Sequence, residues 1–578
     1  MMLFMKKNLL LCFLALFSFS CAFAFGSGNV GVPVSKGALL PIGSEIYALM
    51  DDLFVLSGYS VPSTSRPWTV SEALNELSKI DCSLLSSNEK ILYDSISARL
   101  SSDSDAWISL KLEVSPEAYV HTNDNAYNRE EFWKYGYDDR SHFASMSLDN
   151  SIGGFYGHLE LSMGLGMVSG DDATSTKSIK RYVEEDLKKP WGGVGTQIPI
   201  NDPKADILEV ITSQTNYKRN LVFNFPTTAN SDCNMPRRAY LDYSADFFSF
   251  GFYKSQKSWG FNKGGNFIFD THNDFYNYVS LKTFAKKFAF EYTLMFPENY
   301  RGGVNASAKN YEDYTRVFAA HRIEFRPFES LNIAMSENVM YRFYGFPDIT
   351  LLNPATFYHN NLNNNQFNAI AHVEFEYSII KGLLLYGQFV LDQGSFPFFE
   401  DPSKEDQAMG YSLGLEYKTF VGKGVLSTSI EGIYTNPALY RPTGSSDFII
   451  NYNYLNPDDY YRFPFYTYIG YKYGGDTIAV RGDCSYHSNG LYLYSTLEVV
   501  VDGAYTMFDE YFAPIMLTAP SGDYDVITTA NLGCEYSFSW GFAPVKAFID
   551  ISGINSTKRG FDLQVSLGAS VSYSLVLM

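Results

Sequence analysis

The residues that could do chemistry in this chain do not assemble into a known catalytic signature. No HExxH, GxSxG, Walker P-loop or EF-hand loop occurs. Gly192-Gly193-Val194-Gly195 is not a nucleotide fingerprint, because no βα unit surrounds it. Tyr486-His487-Ser488-Asn489 offers a Ser/His pair, but it reads as a strand end with a polar turn. Arg481-Gly482-Asp483 lies inside an alternating strand between Ile478 and Cys484, which favours a structural role. Two groups remain. Trp259, Asn262, Lys263 and Asn266 sit among glycines. An indole there could stack on a sugar face while amides and an ammonium bond its hydroxyls. The same residues equally suit a tight strand connection with a Trp anchor at a membrane interface. The second group is Arg322, Glu324, Arg326, Glu374 and Glu376, on the polar faces of strands taken as adjacent. Paired across an interior, such charges would satisfy one another and fix register; the alternative is that they line a selective passage. The pattern gives no catalytic residue, no metal site and no cofactor.

The elements that must position these residues change character along the chain. Three short amphipathic helices come first. Ile46, Leu49, Met50, Leu53 and Phe54 recur at helical spacing over Ser44 to Leu56, and Gly58 suits a C-terminal stop. Thr69 with Glu72, and Ser86 with Glu89, read as capping boxes opening the second and third helices. All three are near the marginal length for an isolated helix, so they must pack on each other or on something larger.

After about Asp105 the period falls from 3.6 to 2. Ile108, Leu110, Leu112 and Val114 alternate with Ser109, Lys111, Glu113 and Ser115. The last segment alternates furthest: Phe561, Leu563, Val565, Leu567, Ala569 and Val571 on one face, Asp562, Gln564, Ser566, Gly568, Ser570 and Ser572 on the other. Such strands run to about ten residues or more, against about 5–6 in globular proteins. Their polar face carries small and charged residues. In lipid every backbone group must be paired, so a sheet of this kind closes on itself. The expectation is a membrane all-β fold: a large antiparallel transmembrane β-barrel of about 16–20 strands, 18 favoured, with a small N-terminal helical domain.

Composition agrees. The chain has 578 residues, a formal net charge of −19, and 44 Tyr and 46 Phe against 6 Trp. Mean hydropathy is −0.13, which excludes a bundle of membrane helices. Aromatic excess without helical apolar runs suits girdles at two membrane interfaces. The acidic balance argues against nucleic acid. Lys6 and Lys7, the apolar run Leu9 to Phe19 and Ala22-Phe23-Ala24 read as a signal peptide, residues 1–24. The rival reading is lipidation at Cys21. A linker spans 25–40, a periplasmic helical domain able to act as a plug spans 41–104, and the barrel spans 105–578. Cys82, Cys233, Cys484 and Cys534 follow the leader without metal spacing, and sequence cannot pair them. Long polar connections, including Asp171–Asp206 (with a short helix in Ser178–Lys188), 298–313, 344–365, 436–464 and 503–523, are expected outside the cell. The Tyr/Asp-rich stretch Asp447–Tyr461 suits sugar contact there, or a solvated loop anchored at the interface.

Three stretches resemble the Wzi-like capsule assembly family of outer-membrane barrels. Pro67-Trp68-Thr69-Val70 and Ser86-Ser87-Asn88-Glu89-Lys90 are similar to that family's periplasmic helical bundle. Trp259-Gly260-Phe261-Asn262-Lys263-Gly264-Gly265-Asn266, with Phe267-Ile268-Phe269-Asp270, is similar to its Trp-Gly-Pro-Gly segment, which leads into an apolar strand. Here Phe261 replaces the Pro and Asn262 the following Gly, a departure that bears on the turn. His321-Arg322-Ile323-Glu324-Phe325-Arg326-Pro327, then Leu352-Asn353-Pro354-Ala355-Thr356-Phe357-Tyr358, Asn365 and a strand closing on Asp392 follow the family's order. The resemblance covers nearly the whole mature chain in layout. It implies a non-enzymatic surface lectin of the bacterial outer membrane that holds capsular polysaccharide, with a barrel plugged from the periplasm. The partners would be outer-membrane lipid and surface polysaccharide, and the state a monomer. A porin-like solute channel and a surface adhesin are the alternatives. Trp259, Asn262, Lys263, Asn266, Arg322 and Arg326 are the candidate ligand-binding residues.

Overall fold

The structure, a computed structural model, describes residues 34–101, 106–123, 126–127, 133–135, 140–163, 221–224, 233–297, 314–344, 347–355, 358, 367–393, 408–440, 448–456, 461–505, 518–540 and 543–577. The leader, the connection Asp171–Asp206 with its expected helix, and residues 298–313 lie outside the described residues. So do most of the linker and parts of the other long connections.

Three helices open the described chain: α1 (Glu45–Ser57), α2 (Val70–Leu77) and α3 (Ser87–Leu100). Ser44 caps α1, accepting from the Ile46 N–H, and Gly58 ends it in the left-handed conformation, φ 87°. Ser86 and Glu89 form a complete capping box on α3. On α2 only half of the expected box forms. Thr69 accepts from the Glu72 N–H, but the Glu72 carboxylate turns to the Lys282 ammonium instead. In a buried setting an ammonium is a stronger partner than a peptide N–H. The helices bury a shared core that includes Met50, Leu53, Phe54, Trp68, Val70, Ala73, Ile96 and Leu100.

Eighteen antiparallel strands form a closed barrel among the described residues. They are β1 (Ala106–Val114), β2 (Ala144–Ile152), β3 (Phe155–Met163), β4 (Cys233–Ser244), β5 (Phe248–Ser255), β6 (Tyr276–Phe284), β7 (Phe288–Met295), β8 (Tyr314–Phe328), β9 (Leu331–Tyr344), β10 (Phe367–Ile380), β11 (Leu383–Gln393), β12 (Ala408–Val421), β13 (Gly424–Thr435), β14 (Thr477–Ser488), β15 (Leu491–Asp502), β16 (Asp525–Trp540), β17 (Ala543–Ser556) and β18 (Gly560–Leu577). Each pairs with the next, and β18 pairs with β1 to close the ring. Pro116, which has no N–H to donate, interrupts β1. Glu117–His121 then resumes the pairing with β18, and the short strand Leu221–Phe223 lies beside it.

Burial along the strands is reversed relative to a soluble sheet. On β18, Phe561 is 57% exposed and Leu567 51%, while Asp562 is 0% and Gln564 4% exposed. On β12, Tyr411, Leu413, Leu415 and Tyr417 face out, and Ser412, Glu416 and Lys418 are buried. An apolar exterior around a polar interior is the arrangement that lipid demands. No described helix is long and apolar enough to cross a membrane.

The two ends of the barrel differ. Every connection from an even-numbered strand to the next odd-numbered one spans two or three residues, and all of these lie at one end. The opposite end carries the long connections, with β17–β18 the one short exception. The helices sit at the short-turn end: Gly382 donates its N–H to the Val55 carbonyl at 2.8 Å, and Ser60 to that of Glu329 at 2.9 Å. One expectation needs correction here. The apolar run Phe267–Asp270 does not lead into a strand; it is irregular, and β6 begins only at Tyr276. Phe267, Ile268 and Phe269 are instead core residues inside the barrel, where apolar packing replaces a ladder.

Candidate functional site

The site is the barrel lumen, where two inserted chain segments meet. The first is the extended link between α1 and α2, residues 59–69. Its backbone has no ladder of its own, so the inner wall supplies partners. Arg326 donates to the Ser60 hydroxyl and, at 2.6 Å, to the Val61 carbonyl. Ser63 donates to Glu324 at 2.9 Å, Thr64 to Glu374, and Ser65 to Glu291. Lys282 reaches the Pro67 carbonyl at 2.9 Å and the Ser65 carbonyl at 3.2 Å. Beside this link, Asp52 of α1 pairs with Lys418 of β12 at 2.7 Å and with His487 of β14 at 3.1 Å.

The second segment is the β5–β6 connection, residues 256–275. It descends from the long-loop end and meets the first. Ser65 and Arg66 pair antiparallel with Trp259 and Ser258, and Gly260 donates to the Thr64 carbonyl at 3.2 Å. Gly260 lies at φ 121°, and a Cβ there would run into Gln388 and Asn266, so only glycine fits. Glu291 of β7 joins everything at the meeting point. It accepts from Ser65 of the first segment, and from Lys257 and the Trp259 indole (3.1 Å) of the second. Val55, Val61, Phe261, Leu384 and Tyr386 add an apolar contact between helix, both segments and wall.

The sequence-derived site residues all lie where these inserts meet the wall. Trp259 is fully buried, 0% exposed, edge-on to Phe269 at 4.9 Å. Asn262 accepts from Ser412 at 3.0 Å. The Lys263 ammonium pairs with Glu416 at 3.1 Å, and the backbone N–H groups of Lys263 and Gly264 donate to Glu431, each at 2.8 Å. Asn266 accepts from Gln388 at 2.6 Å and donates through its backbone to Asp270 at 3.0 Å. Arg322 bridges Glu324, at 2.7 Å, and Glu374. Contrary to the adjacency expected from the sequence pattern, the strands carrying this bridge are not neighbours: β9 runs between β8 and β10. Ala334 of β9 is the registered partner of both Glu324 and Glu374, and its small side chain lets the charges meet across it. Glu376, on the same inner face, accepts from Asn332 at 2.9 Å.

Sequence reasoning did not single out Glu291, Lys282, Lys257, Thr64 or Ser65. The one available signal was a lone Glu on the polar face of a short aromatic strand. It also missed an apolar zone. Toward the long-loop end the inner face carries Phe318, Met340, Ile370 and Val390, against which Phe267, Ile268 and Phe269 pack together with Tyr440, Phe448 and Tyr471. The Tyr440 hydroxyl donates to the Phe267 carbonyl at 2.5 Å, so part of the β13–β14 connection also folds inward.

The inserted groups carry the marks of this burial. Desolvation lifts the Glu72 carboxyl to about 7, against the opposing charge of Lys282. Burial lowers the Lys257 ammonium to about 8, partly offset by Glu291. For Asp270, burial is the largest influence and works upward. The hydrogen bond and charge of His272, with the Asn266 and Thr271 N–H groups, hold the carboxyl below its usual range nonetheless.

The inserts do not fill the barrel evenly. Along the wall of β1–β5 a cavity of about 640 Å³ remains, bounded by Leu39, Pro41 and Ile42 on one side and by Gln256 and Thr271 of the inserted loop on another. Among the described residues no group of three His, Cys, Asp or Glu is placed to hold a metal ion. Cys82, Cys484 and Cys534 are free thiols.

No protein-family model matches the chain, and no curated protein matches it. Among solved structures, the chain is similar to Wzi, an outer membrane protein involved in group 1 capsule assembly in Escherichia coli and a carbohydrate-binding β-barrel. The TM-score is 0.54 at 14% identity, over 93% of this chain and 99% of that one. Looser matches include OccK3 of Pseudomonas aeruginosa (TM-score 0.37, 10% identity, 82% of this chain and 96% of that one). OccAB4 of Acinetobacter baumannii matches at 0.37 and 11%, over 81% and 98%. The chain is therefore a bacterial outer-membrane β-barrel, with a fold similar to that of the Wzi-like capsule assembly barrels.

Proposed function

We propose that this protein is a non-enzymatic, internally plugged barrel that binds or anchors surface polysaccharide. The short-turn end faces the periplasm in this reading, as in outer-membrane barrels generally. The helices close that end, and the long connections face outward. The observation that carries the proposal is the meeting of two inserted segments in the lumen at Ser65 and Trp259, both tied to Glu291. A passage for solutes gains nothing from a wall and plug locked by buried ion pairs. A platform that must hold loops steady at the cell surface does. The fold likeness to a carbohydrate-binding barrel supplies the ligand class. Trp259, Asn262, Lys263, Asn266, Arg322 and Arg326 serve the function by fixing the plug, so their part in glycan binding is indirect.

The test is retention of polysaccharide on cells that carry or lack the protein. Loss of surface-bound glycan into the medium on deletion, restored by the full-length gene, supports the proposal. Unchanged retention overturns it. The 640 Å³ cavity favours a second reading, a narrow conduit for small solutes. Stable, large conductance from the purified full chain would support that reading over the first.

A further inference from the structure

The cavity beside β1–β5 has a chemistry of its own, apart from the plug. The charges of its lining balance: Lys111, Arg140, Arg237 and Arg238 stand against Glu113, Asp149, Glu160 and Asp274. Arg237 pairs with Asp274 at 2.8 Å and with Glu160 at 3.4 Å, and Arg238 with Asp274 at 3.2 Å. His158 meets Asp149 at 2.6 Å, and the Tyr156 hydroxyl donates to the same carboxylate at 2.8 Å. Lys111 pairs with Glu113 at 2.6 Å. No excess of either sign is left to recruit an ion. Aromatic rings run along the wall: Tyr240 stacks on His158 at 4.6 Å and 17°, and on Tyr156 at 6.0 Å and 28°.

His142 stands out in this lining. It is 5% exposed, and neither ring nitrogen has a hydrogen-bond partner among the described residues. Burial, and then the nearby Arg237 charge, push it down to about 3, so the ring is neutral. A neutral imidazole presents one N–H donor and one acceptor nitrogen. An anion only accepts and would leave the second nitrogen unmet. A cation would sit against two guanidinium groups. A hydroxyl group both donates and accepts, and a polyol can meet both nitrogens at once. The volume falls within the ~300–1,000 Å³ range of small-molecule sites.

We propose that this cavity is a binding site for a short neutral saccharide, held by His142 and by the aromatic and polar wall of β2–β4. The site lies inside the barrel and goes beyond the surface-polysaccharide reading. It is tested on purified protein, so its failure and that of the cell assay are distinguishable.

The experiment is calorimetric titration of the full chain in detergent with maltotriose, and in parallel with trigalacturonate. Saturable maltotriose binding is expected, with trigalacturonate at least about tenfold weaker, because the described lining carries no excess of positive charge to offset a carboxylate. H142F removes two hydrogen bonds and is expected to weaken maltotriose about tenfold or more. H142Q keeps a donor and an acceptor and is expected to stay within about threefold. S147F places bulk in the cavity from β2 and is expected to abolish binding without touching His142. Each variant is read only after heat-modifiable gel mobility confirms a folded barrel; if H142F does not fold, H142Q and S147F decide. Absence of saturable maltotriose binding, preference for the anionic sugar, or indifference to S147F would overturn the proposal.

Discussion

Replacing Glu291 by Ala would remove the one carboxylate among the described residues that holds both inserted segments to the wall. Lys257, whose side chain is 1% exposed, would lose the carboxylate it pairs with, and Lys282 would keep only Glu72 and two carbonyls. Ser65 and the Trp259 indole would lose their acceptor at the same time. Breaking a buried pair from one side costs about 3–5 kcal/mol, mostly as the uncompensated charge left behind. At about 1.4 kcal/mol per tenfold, the docked plug should open about a hundred to several thousand times more often. The barrel wall, held by ladders on both sides of every strand, should not share the change. Hydrogen exchange read by mass spectrometry separates the two: protection should collapse over residues 59–69 and 256–275 and persist over β12–β17. Adding K257M should restore much of the protection, since it removes the orphaned ammonium. Unchanged protection of both segments in E291A, with the barrel intact, would refute the reasoning.

Further expectations follow from the same contacts. Trp259→Ala empties a fully buried site and should cost about 3–5 kcal/mol, seen as protease cleavage within 256–275. The Glu72 carboxyl, raised by burial to about 7, holds its proton in the docked state between the usual carboxylate range and pH 7. The free segment binds fewer protons in that window, so docking weakens as pH rises through it and levels off above. Cleavage within 60–77 should be slower at pH 5 than at pH 8, and E72Q should flatten the difference. Lys418→Met leaves Asp52 of α1 with His487 alone, and should loosen α1 at the short-turn end, read as faster exchange over 45–57.

What the sequence made legible followed from local periodicity. Helix starts at Ser44 and Ser86 and the stop at Gly58 are short-range devices, and they stand where the residues indicate. The strands were legible because lipid outside and polar side chains inside impose a period of two. The inserts were not legible, since nothing periodic marks them. Ser65 lies far along the chain from Trp259 and Glu291 and meets them only inside the lumen. A Trp–Gly loop reads the same whether it points into water or into a lumen. One trace of the apolar zone was present: Ile370 breaks the polar face formed by Asn368, His372, Glu374 and Glu376. Half of the α2 capping box failed for the same reason, because the Lys282 ammonium competes from β6.

The most direct test of a lumen closed from within is electrical. Planar-bilayer recording of the full-length protein should show no large, stable conductance. The chain lacking residues 34–101 should show frequent openings, because the first insert and its helical base are gone. Large, steady conductance from the intact protein, or no difference between the two, would contradict the account.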